Sequence, residues 1–129
     1  MTGIGTGRPP SAVELAERCS DALRDLARVT HPEDGAPGLA YPGDVHVALG
    51  LLARLAHELP EALEHLRLWL EGQVELGLVE TGVGPGDQDG LARATGGLQD
   101  GTHAASRLAG ELAATLTRAQ TAVHALRQA

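Results

Sequence analysis

Apolar side chains recur along most of this chain at steps of three and four, the spacing of one face of an α-helix. The clearest run is Val45, Ala48, Leu52, Leu55, Leu59, Leu63, Leu66, Leu70 and Val74. Opposite it stand Arg54, His57, Glu61, Glu64, Leu68, Glu71 and Glu75, nearly all polar. This pattern predicts a helix over about 44–78, with Asp44 where an N-cap belongs. Pro60 lacks an N–H and crowds the preceding turn, yet the stripe keeps phase across it. One kinked helix, or two collinear ones with Pro60 in the first turn of the second, satisfies both facts.

A second run, Leu91, Ala94, Leu98, Gly101, Ala105, Leu108, Leu112, Leu116, Ala119, Val123 and Leu126, predicts a helix over about 88–127 capped by Asp87 or Asp89. Gly96, Gly97 and Gly101 weaken it by roughly 1 kcal/mol each relative to Ala. They allow two readings: a break at 96–101 recapped by Asp100 or Thr102, or close approach of a neighbouring backbone along Gly97, Gly101 and Ala105. Upstream, Ser11 and Glu14 have capping-box spacing. Leu15, Cys19, Ala22, Leu23 and Leu26 then give a helix over about 12–30, with Cys19 as a small core residue on its apolar stripe. Segments 31–43 and 79–90 are rich in Gly and Pro and read as loops. Residues 1–10 read as a flexible tail and 11–129 as a single domain.

The two long helices would be rods of about 48 and 55 Å. Rods of similar length joined by a short loop form an antiparallel hairpin, with Leu63 and Leu112 in its seam. The expected fold is therefore all-α: a helical bundle of three to four helices built on a long antiparallel helical hairpin, the first helix covering part of one groove. Composition agrees. There are 21 Leu and 21 Ala, no Phe, and only Tyr41 and Trp69 as aromatics, an inventory that favours helices over strands. Such small side chains let helix axes approach closely.

The formal charge of −7 makes the chain a poor general binder of nucleic acid. The acidity lies in residues 1–87, which carry −8 against +1 in the remainder. A single Cys excludes a disulfide framework and a Cys-based zinc site. There is no 18-residue apolar run, and the opening MTGIGTGRPP has no signal-peptide apolar region. The expectation is a cytoplasmic protein with no membrane association.

Catalytic chemistry finds little purchase. Glu61 and His65 are spaced i, i+4 rather than as the inward Glu-x-x-His of di-metal bundles, so the His and Glu side chains here read as a solvated face without metal. Gly82-Val83-Gly84-Pro85-Gly86 follows no strand and precedes no Gly-Lys-Ser/Thr, and no cofactor is expected. The segment Ala56-His57-Glu58-Leu59-Pro60-Glu61-Ala62-Leu63 resembles the H-box of sensor histidine kinases. That resemblance implies His57 as phosphoacceptor and Glu58 as its general base. The segment departs from the family at Pro60 and Glu61, and the Lys-Gly that follows the His of phosphotransfer domains is missing. A phosphate beside Glu58, Glu61 and Glu64 would also meet like charge. In length, Ala-rich heptads and a single Trp the chain is similar to the small helical-hairpin proteins of type VII secretion. Their Trp-x-Gly turn is not matched by Trp69-Leu70-Glu71-Gly72, nor their Tyr-x-x-x-Asp/Glu signal at Tyr41, where Val45 holds the acidic position.

Leu51, Trp69 and Leu76, helped by Leu68, form a second apolar flank about 90° from the main stripe. Either the first helix, about 28 Å long, covers this flank, or, against a rod of about 48 Å, it leaves part of the apolar length open. These four residues are the expected partner-binding set. The functional expectation is a small non-catalytic interaction module, either a homo-oligomer or the small partner of a larger protein. The alternative is a histidine phosphorelay component using His57.

Overall fold

Ser11 opens the first helix as the spacing predicts. Its hydroxyl accepts the Glu14 N–H at 3.1 Å, and the Glu14 carboxylate accepts the Ser11 N–H at 2.9 Å, so each satisfies the other's orphan donor. The computed structural model describes residues 8–126; most of the segment read as a tail, and residue 127 of the expected last helix, lie outside them. Three helices follow in order: α1 (Ala12–Val29), α2 (Pro42–Glu75) and α3 (Gln88–His124). A single 3₁₀ turn, Pro32–Asp34, lies between the first two. The fold is an all-α helical hairpin bundle, with α2 and α3 packed against each other.

α2 starts two residues earlier than expected. Asp44 sits inside its first turn rather than at the cap, where its carboxylate accepts the N–H groups of Ala40 at 2.8 Å and Tyr41 at 3.1 Å. These two bonds, Ala40's first, hold the Asp44 carboxyl below its usual range. The helix runs unbroken through Pro60. It ends at Glu75, three residues short of the expected 78, because Gly77, with a φ of 73°, allows a reversing turn in which Leu78 N–H reaches Gln73 O and Gly77 N–H reaches Val74 O, both at 3.0 Å.

α3 is capped by Asp87, which accepts from Gly90 N–H at 3.0 Å and from the Thr81 hydroxyl. It too is unbroken, and neither reading of its glycines holds. A Cβ placed on Gly96, Gly97 or Gly101 would meet nothing within 4 Å. The close approach is at Gly50, where an added Cβ would strike the Gln120 side chain. Gln120 in turn donates to His46 O at 3.2 Å, and the His46 and His124 rings lie 5.2 Å apart. These pairings put the start of α2 beside the end of α3, so the hairpin is antiparallel.

The seam is not the leucine stripe. The seam of α2 runs through the buried or half-buried Leu49, Ala53, Ala56, Pro60, Leu63, Arg67, Leu70 and Val74, alternating by four and three. That of α3 runs through Leu91, Thr95, Leu98, Thr102, Ala105, Ala109, Ala113, Leu116, Gln120 and Val123, the same alternation with one extra step of four. Among the described residues only Ala53, Ala56, Ala109 and Ala113 are buried outright. Small residues at mid-hairpin bring the two backbones together, and that contact rotates Leu55, Leu59, Leu66, Leu108 and Leu112 out of it; all five are exposed. Leu63 keeps its expected seam position, whereas Leu112 does not. The polar side chains in the seam satisfy themselves: the Thr95 and Thr102 hydroxyls bond Leu91 O and Leu98 O, one turn back.

α1 behaves differently from expectation. None of its residues is buried, and among the described residues the extensive packing between elements is that of α2 on α3. It covers no groove of the hairpin, and Cys19 is exposed rather than in a core.

Candidate functional site

The hairpin presents two flanks, one on each side of its seam. On the first, residues 50, 54, 57, 61 and 64 of α2 line shallow open grooves together with residues 103, 106, 107, 110, 114 and 117 of α3. Most of the ionisable side chains that border the seam collect here: Arg54, His57, Glu61, Glu64, His103 and Arg107. His57 is exposed at the edge of one groove. Glu58 is held by Arg54, Nε to Oε1 at 3.1 Å, and adjacent residues on a helix do not face each other. The structure therefore does not join Glu58 to His57 as a base. Among the described residues Arg67 is the one charge drawn into the seam, its side chain 17% exposed. It bonds Glu64 and Glu71, the latter at 2.8 Å, and these two carboxylates, Glu64 first, raise its pKa.

The opposite flank is made by the two heptad columns of α2 on the far side of the seam. One column is Val45, Leu52, Leu59, Leu66 and Gln73; the next is Ala48, Leu55, Ala62, Trp69 and Leu76. Nine of these ten side chains are apolar and none is charged. On α3, Leu108 and Leu112 lie across the seam from Gly110 and Ala114 and so face the same side, with Gly101 and Ala119 above and below. Leu59 is 39% exposed, Leu66 56% and Trp69 65%. A helix facing one neighbour needs one such stripe. This helix has a seam and a flank beside it.

The four residues expected to bind a partner are all exposed, but the helix divides them. Trp69 and Leu76 belong to the apolar flank. Leu51 points away from the seam, and Leu68 lies on the polar side. Leu55, Leu59, Leu66, Leu108 and Leu112, which the helical spacing places on the core stripe, instead complete the flank. Their heptad spacing relative to Ala53, Ala56, Ala109 and Ala113 is the signal that separates the two sets. Among the described residues no group of three or more His, Cys, Asp or Glu side chains could hold a metal ion, and no helix is long and apolar enough to cross a membrane. Comparison with known protein families, characterised proteins and solved structures finds no match to the chain.

Proposed function

We propose that this protein is a small interaction module without catalysis of its own, which binds a protein partner through the apolar flank of its hairpin. The observation that carries the reading is the uncharged strip of exposed leucines on both helices, with Trp69 among them. A continuous apolar surface of this kind marks an interface, and a tryptophan at its edge is the type of side chain that anchors binding energy. The polar flank has the ordinary composition of a solvated helical surface.

The test is recovery of partners from the native cell with three baits: wild type, Leu66→Glu with Trp69→Ala, and Glu61→Gln with Arg107→Gln. The flank reading expects one set of partners, a second copy of the chain counted among them if recovered, to be kept by the polar-flank bait and lost by the apolar-flank bait. Equal recovery by all three contradicts it.

A further inference from the structure

Resting on that reading, we infer that the occupant of the apolar flank is the same flank of a second copy of this chain, two hairpins closing into a four-helix bundle. Three observations converge on it. The first is area. The chain exposes 9770 Å², whereas a folded monomer of its mass exposes about 6,500 Å². About 3,000 Å² is in excess, and the open surfaces of α1 and of the flank contribute to it. A stable interface takes about 800 Å² from each partner. The single hairpin, with four alanines as its buried core, lacks the apolar burial that holds a domain of this size together.

The second observation is the shape of the apolar face. A seam plus one flanking column is the pattern of a helix with two neighbours in a bundle. α2 carries it through Leu52, Leu59 and Leu66, and α3 carries it on the same side through Leu108 and Leu112. The flank therefore fits a pair of helices lying alongside it. α1, of 18 residues and about 27 Å, spans about half the length of α2.

The third is charge. The chain's acidic groups would repel a second copy, but none stands in the two flank columns of α2. A surface that is uncharged and apolar on both helices is complementary to itself, and an isologous two-fold contact closes it without leaving a further edge.

The test is sedimentation equilibrium of the full chain, with Trp69 emission and the thermal midpoint followed over about a hundredfold range of concentration. The inference expects twice the 13.3 kDa chain mass, a midpoint that rises with concentration, and a Trp69 spectrum that moves to the blue on association. Leu59→Asp with Leu66→Asp returns the single-chain mass, and Glu61→Gln leaves the dimer intact. Should the double variant fail to fold, the concentration dependence of the wild type still decides. A monomer whose Trp69 stays open to quenchers at every concentration overturns the second copy and leaves the interface reading standing. A monomer whose Trp69 is shielded at every concentration overturns both. A dimer that survives the double variant but is lost with Leu15→Asp and Leu23→Asp places the contact on α1 and also overturns the inference.

Discussion

The two flanks of the hairpin share the same pair of helices and the same seam, yet differ in every physical respect that matters for binding. One carries Arg54 and His57 beside Gly110 and Ala114, and Glu61 and Glu64 beside His103 and Arg107, all exposed to water. The other carries Leu55, Leu59, Leu66 and Trp69 beside Leu108 and Leu112, with no charge among them. Solvation alone accounts for the first. The second costs free energy for as long as it stays open, at about 25 cal/mol for each Å² of apolar surface left in water. The contrast also shows that small residues form the buried centre of the hairpin, with leucines such as Leu49, Leu63, Leu98 and Leu116 half-buried along its seam, while Leu55, Leu59, Leu66, Leu108 and Leu112 lie to one side.

The contrast is broken most severely by putting a charge into the seam. Ala56, 2% exposed, leaves no room and no counter-charge for Ala56→Asp. We expect a loss of more than about 3 kcal/mol, read as collapse of the helical circular dichroism. Leu112→Asp, on the open flank, should keep the helical signal at low concentration. If the two variants unfold alike, the assignment of seam and flank is wrong. At Gly96 and Gly110 an added methyl meets nothing within 4 Å. Gly96→Ala and Gly110→Ala should therefore each stabilise by about 0.5–1 kcal/mol, seen as higher denaturant midpoints.

Acid should act through the caps. The Thr81 hydroxyl, then the Gly90 N–H, lower the Asp87 pKa. Its contribution to stability is therefore complete above the unfolded value near 3.9 and fades as pH falls through the folded one. A thermal midpoint that declines below about pH 4, with a shallower decline in Asp87→Asn, is the expected result. An unchanged slope in the variant would assign the acid sensitivity elsewhere. The smallest effect belongs to the polar flank: His57→Ala should change stability by no more than about 0.5 kcal/mol.

Much of the fold was legible in the sequence. The all-α hairpin and the capping box at Ser11 follow from spacing and elementary backbone chemistry, whereas the choice of Asp87 over Asp89 as cap, of three helices over four and of one helix over two at Pro60 was left open by the spacing. The seam was not legible from hydrophobicity, because the largest apolar residues were taken to mark the contact. In a two-helix contact, close approach rewards Ala over Leu, so Ala53, Ala56, Ala109 and Ala113 took the centre and turned Leu59 and Leu112 outward. The same rotation reshaped the partner-binding set. Trp69 and Leu76 were read from the sequence, whereas Leu55, Leu59 and Leu66 were hidden among expected core residues. The glycines of α3 misled for a related reason: their spacing suggested a contact or a break, but a long helix stabilised by packing absorbs their cost.

The central claim is that the seam is closed within one chain and the neighbouring flank is not. Thiol labelling tests it directly, in a Cys19→Ser background carrying in turn Leu63→Cys, Leu59→Cys and Leu66→Cys. The account predicts slow labelling at position 63 throughout, and labelling at 59 and 66 that is fast in dilute protein and slows as concentration rises. Equal protection of all three positions in the dilute monomer would contradict it.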